Sequence, residues 1–228
     1  MASGSYFPPP VRSVEIPKPD GGVRTLGVPT VADRVAQTVA AKRLEAACEP
    51  LFCDDSFGFR PVRNAHQAVE RCRDRCWQRQ WVIDLDIRRF FDCVHWELLL
   101  RAVESLEVPS WVGLYVRRWL AVDAVTADGS RLHRDRGTPQ GGPVSPVLAN
   151  LFLHWTLDVW IDREHPTVAF ERYADDAVVH CVSLRQAEQV RLSREQISEA
   201  VGIDLPCPER VIERPVSAPE HPRQRQGR

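Results

Sequence analysis

The sequence predicts an α+β protein in which an antiparallel sheet packs on helices, and three stretches carry that expectation. Residues 170–181 form two runs of β-branched and aromatic side chains that meet at Asp175 and Asp176, the pattern of a tight hairpin with a small polar centre. Residues 81–87 alternate, so that Ile83, Leu85 and Ile87 fall on one face of an extended strand and Val82, Asp84 and Asp86 on the other. Residues 30–47 carry Val31, Val35, Val39, Leu44 and Ala47 at helical spacing, which predicts a helix that buries this stripe.

The remaining elements follow in chain order. Residues 1–30 read as an extended hairpin turning at Asp20, Gly21 and Gly22, with Val11, Val14, Ile16, Val23, Leu26 and Val28 as strand residues. An aromatic and arginine-rich turn at residues 56–61 leads into a helix from about Asn64. Helices are expected over residues 95–106, with Leu98, Leu99 and Val103 inward, and over 111–121 after Pro109 and Ser110. Asp128 and Gly129 suggest a second hairpin with Val125 and Leu132 on its arms. Residues 137–145 form a loop with three glycines that lets backbone approach a ligand closely, and it opens an apolar helix over 146–161. A polar helix is expected over 184–200, and residues 215–228 lack periodicity and read as a disordered tail.

Two adjacent like charges on a turn repel, and a hard divalent cation such as Mg²⁺ relieves that cost. For Asp175 and Asp176 alone, a solvated surface turn is the better explanation of the pair. Asp86, an acid at the end of a strand, supplies a third carboxylate. Three such groups can hold two ions about 3.5–4 Å apart.

A chain of 228 residues with 43% apolar content builds a sizeable core. No apolar run approaches the roughly 20 residues of a membrane span, and the N-terminus has no signal pattern, so no membrane partner and a cytoplasmic location are expected. The net charge of −1 gives no global basic field. Positive charge is local instead: residues 56–80 hold six arginines against Glu70 and Asp74. The seven cysteines form no CxxC pair and read as reduced thiols; Cys72 and Cys76 stand one helical turn apart, but no second pair completes a zinc site.

Five blocks in order resemble the reverse transcriptases encoded by group II introns. Asp86-Ile87-x-x-Phe90-Phe91-Asp92, residues 137–150 and Tyr173-Ala174-Asp175-Asp176 look like motifs A, B and C; residues 16–30 and 56–61 look like the fingers blocks. The likeness covers about residues 5–212. It implies a right-hand polymerase with fingers over 1–80 and palm over 81–214. It implies RNA-directed DNA polymerase activity by two-metal nucleotidyl transfer to a primer 3′-hydroxyl. Asp86, Asp175 and Asp176 would be catalytic and hold Mg²⁺, with Mn²⁺ as a substitute. Lys18, Arg24, Phe91, Gln140 and Gly141 would meet the deoxynucleoside triphosphate, with the Phe91 ring excluding a 2′-hydroxyl. Arg60 and Arg63 would contact the template. Partners would be an RNA template, a DNA primer, deoxynucleoside triphosphates and a group II intron RNA. Near Gly202, residues 206–210 depart from the family's pattern, with Arg210 where a lysine is usual. Nothing resembles a thumb, maturase or endonuclease region, so a fingers–palm piece is expected. The alternative is a truncated, catalytically weak or inactive fragment that retains RNA binding.

Overall fold

The computed structural model describes residues 3–17, 21–87, 90–201 and 211–213, with Asp86 described through its backbone alone. Two sheets and a helical layer result. Strands β1 (Val11–Pro17) and β2 (Val23–Val28) form the N-terminal antiparallel hairpin, in register from Arg12 opposite Val28 to Pro17 opposite Val23. The short strands β4 (Ala124–Val125) and β5 (Arg131–Leu132) form the second hairpin, and β1 runs parallel to β4 through Val11 and Ala124. Its turn suits its residues: Gly129 takes φ +87°, and Ser130 Oγ donates to Asp128 Oδ2 at 2.9 Å.

The second sheet has the order β6-β7-β3-β8, antiparallel throughout. Strand β3 is Trp81–Asp86, β6 is Ala169–Tyr173, β7 is Asp176–Cys181 and β8 is Val211–Glu213. Strand β8 went unforeseen, because three residues in a polar C-terminal stretch offer no period to read. One face of this sheet carries Ile83, Leu85, Phe170, Ala177 and Val179, all buried. That face shares one continuous core with α4 (Trp96–Glu104), α5 (Ser110–Leu120), α6 (Ser145–Leu153) and α8 (Leu184–Val201), of which α8 lies directly on β3 and β7. The opposite face is crossed near β6 and β7 by α2 (Ala65–Gln78), whose start is fixed by a capping box between Asn64 and Gln67.

The helix expected over 30–47 is α1 (Val31–Cys48), capped by Thr30; Leu44 is buried as expected, but the three valines of the expected stripe face outward. Val31, Val35 and Val39 are exposed, while Asp33, Gln37, Ala40, Ala41, Leu44 and Cys48 are buried. Both stripes have helical spacing. The inward one wins because its small residues let α1 approach α6, and because Asp33 finds a partner in the Tyr6 hydroxyl. The apolar helix expected over 146–161 is present with one wide turn: α6 runs into a π-helical segment at His154–Asp158 and then α7 (Val159–Glu164).

The boundary expected after residue 80 marks no gap in packing. Val11 pairs with Ala124, and a single core cluster holds Ala40, Leu44 and Phe52 together with Ile83 and Leu148.

Candidate active site

The expected hairpin forms between β6 and β7. Tyr173 pairs with Asp176, leaving Ala174 and Asp175 as the two-residue turn, so Asp175 stands at the tip and Asp176 opens β7. The register then places Asp86 directly opposite Asp176, and the three acids gather at one end of the sheet. Asp176 is exposed and Asp175 half-buried.

What fixes the turn is a buried polar network that pattern reading missed. Ala174 adopts φ +57°, a left-handed conformation unusual for a residue with a Cβ. Arg172, fully buried, holds it: Nη1 donates to Ala174 O at 2.8 Å and to Asn150 Oδ1 at 3.0 Å. Nε and Nη2 make a bidentate pair with Asp158 at 2.8 and 2.7 Å. Asn150 Nδ2 in turn donates to Gly58 O at 2.6 Å. Gly58 lies so close to the turn that a Cβ there would come 2.2 Å from Ala174 N. The signal was present: Arg172 precedes the acids on a strand whose alternation puts it on the core face, where an unpaired charge is prohibitive.

This corrects the reading of residues 56–61 as a template-facing turn. Phe57 N donates to Arg172 O at 2.8 Å, and Arg172 N to Asp55 O at 2.8 Å, so the segment runs alongside β6 as a strut. Arg60 is buried: its guanidinium reaches Glu49 at 2.8 Å and the carbonyls of Cys53 and Ser56 at 2.6 and 2.7 Å. A residue so engaged offers no face to a strand of RNA. Arg63 stays at the surface, bonded to Asp54 O at 2.7 Å and lying over the Phe57 ring. On α2, Arg75 and Arg79 are likewise taken up by the sheet, through Asp55, Glu171 and the carbonyl of Thr167. Arg71 and Arg73 remain exposed.

The glycine loop is wedged between three elements. Gly137, at φ +78°, would place a Cβ 2.7 Å from Phe91 O, and Thr138 N donates to that same carbonyl at 2.6 Å. Gln140 O accepts from Gly27 N at 2.7 Å, so Gln140 and Gly141 are held against β2, the strand that carries exposed Arg24. Phe91 follows β3 on the short helix α3 (Phe90–Cys93) and is half-buried, edge-on to the buried Phe90. With Arg134, Arg136, His133 and Gly137 it lines a cavity of about 240 Å³. Burial lowers the Arg134 pKa against the opposing charge of Asp92. Lys18 and residues 206–210 lie outside the described residues.

An antiparallel sheet that carries acids on its hairpin end, backed by helices and flanked by a glycine loop, is the palm of a right-hand polymerase. Solved structures agree on the fold. Telomerase from Candida albicans, in complex with a fragment of telomeric RNA, superposes with a TM-score of 0.71 at 12% identity, over 95% of this chain and 43% of that one. Apo telomerase from Candida tropicalis gives 0.61 at 13%, over 85% and 48%. The family described as "Reverse transcriptase (RNA-dependent DNA polymerase)" matches residues 16–206. The chain belongs to the reverse transcriptase family. Among curated relatives, Protein YkfC of Escherichia coli K12 is 32% identical over 215 residues, 78% of this chain and 56% of that protein. The group II intron-encoded protein LtrA of Lactococcus lactis is 32% identical over 175 residues, 73% of this chain and 29% of that protein. This chain therefore spans about half or less of their lengths.

Proposed function

We propose that this domain is an RNA-directed DNA polymerase of the group II intron type, with residues 1–80 as fingers and 81–214 as palm. The observation that carries the reading is the register of Asp86 opposite Asp176, one residue from a turn that projects Asp175. Three carboxylates at one end of a sheet are a donor set suited to hard divalent ions, which fits Mg²⁺ with Mn²⁺ as a substitute. Bound there, the ions would polarise the primer hydroxyl and stabilise charge on the triphosphate.

The chain's own residues do the rest. The buried Arg172 pair fixes where the turn acids stand. Phe91 lies beneath the space a sugar would occupy and selects deoxynucleotides by bulk. Arg24 on β2 and the backbone at Gln140 and Gly141 frame the triphosphate and base, with Lys18 nearby in sequence. The half-buried Arg63 and the exposed Arg71 and Arg73 neutralise template phosphates, which gives RNA template, DNA primer and intron RNA as partners.

The test has two parts. Mg²⁺ should raise the melting temperature of the folded chain by linkage, and Asp86→Asn with Asp175→Asn should abolish the rise. Primer extension on an RNA template should vanish in Asp175→Asn. An unchanged thermal response in the double variant would place the ions elsewhere. Salt-sensitive RNA binding without any extension would leave a binding domain in place of an enzyme.

A further inference from the structure

Helix α2 lies on the sheet face that carries Glu171 and His180, and the contact is chemically unusual. Cys72 and Cys76, four residues apart on one helix face, look onto β7. Their Sγ atoms and a ring nitrogen of His180 all lie within 4.8 Å of one another. His180 is fully buried; its Nε2 is 2.6 Å from Glu171 Oε1, while its Nδ1 has no hydrogen-bond partner. A buried ring nitrogen left this way costs on the order of 1–3 kcal/mol. Glu171 is itself held, since its other oxygen accepts from Arg75 Nη1 at 3.0 Å. A carboxylate at Nε2 puts the ring proton there and leaves the lone pair on Nδ1, the arrangement common to metal-ligating histidines.

We propose that Cys72, Cys76 and His180 form a zinc site, with both sulfurs as thiolates, His180 bonding through Nδ1 and Glu171 orienting the ring. The donor set is two soft sulfurs and one imidazole, which selects Zn²⁺ over Mg²⁺ or Ca²⁺. Two thiolates balance the charge of the ion. Zinc is four-coordinate, and the half-exposed side of Cys72 gives water access to the fourth position. Loading replaces two thiol protons by one ion and releases both protons to solvent. In the metal-free chain, burial first and Glu171 second raise the Cys72 thiol pKa. Affinity therefore rises with pH. The role is mechanical: the ion would tie α2 to β7 four residues from Asp176, on the sheet face where the register also places Asp86. None of these groups belongs to the carboxylate site, so the zinc site is independent of the polymerase reading.

The experiment uses the full chain, stripped with a chelator under reducing conditions and titrated with Co²⁺ and then Zn²⁺. One equivalent of Co²⁺ should give tetrahedral ligand-field bands and a sulfur-to-cobalt charge-transfer band, both bleached by Zn²⁺. The carboxylate site cannot produce the charge-transfer band, so the two sites are distinguishable. Cys72→Ser with Cys76→Ser should remove it. As a check that needs no variant to fold, Zn²⁺ should protect Cys72 and Cys76 from alkylation in the native chain, with modified cysteines located by mass spectrometry. A folded chain that gives no charge-transfer band overturns the proposal. So does a band that survives the double serine variant, or unprotected Cys72 and Cys76 at saturating Zn²⁺.

Discussion

Phe91 stands five residues after Asp86, half-buried over the loop carbonyl contacts, and its ring is the bulk proposed to exclude a 2′-hydroxyl. Phe91→Ala should therefore admit ribonucleotides in primer extension; equal exclusion by the variant would reduce the ring to packing. His154 carries a different consequence. Burial lowers its pKa below the ordinary value, so the folded chain binds it neutral while the unfolded chain protonates it. Stability from this group is present above about pH 6.5 and lost as pH falls below that value. His154→Gln should flatten that part of a urea-denaturation profile between pH 7 and 5. The single residues most legible in the sequence were those whose role is local. The positions of Asp86, Asp175 and Asp176 on strand and turn were readable because strand alternation and turn chemistry set them, whereas the burial of Arg60 was not, because the Glu49 carboxylate and the carbonyls of Cys53 and Ser56 reach it only once residues 49–60 fold back on themselves.

Among the elements, α1 shows how period alone can mislead. Its length and cap are written in the sequence, but its rotation is decided by what it meets: Ala40 and Leu44 against α6, and Gln37 against Gly142. The two stripes should respond oppositely to mutation. Leu44→Ala, at a fully buried position, should cost about 2–5 kcal/mol, whereas Val35→Lys, on the exposed stripe, should stay within about 0.5 kcal/mol in chemical denaturation. Equal costs would mean that α1 is turned as the valines suggest. The hairpins were legible for the opposite reason, since alternation and a glycine or acid at the turn fix both faces locally.

At the scale of the whole molecule, the arginines divide into those that build the fold and those left at its surface. Arg60, Arg75, Arg79 and Arg172 are spent inside or along the sheet, and among the described residues no helix is long and apolar enough to cross a membrane. RNA binding should fall steeply with salt, and replacing Arg63, Arg71 and Arg73 by alanine should lower the slope of log K against log salt by up to about three. An unchanged slope would move the template path off α2. The order of motifs was readable because each block is contiguous, but what supports them was not, because it joins segments far apart in the chain. Gly58, Asn150, Asp158 and Arg172 all converge on one left-handed alanine. In a saturation screen scored by enzyme output, these four positions would be as intolerant as the acids themselves. A tolerance map of this domain would thus outline a larger functional centre than any reagent could touch, because part of it is the scaffolding that sets Ala174.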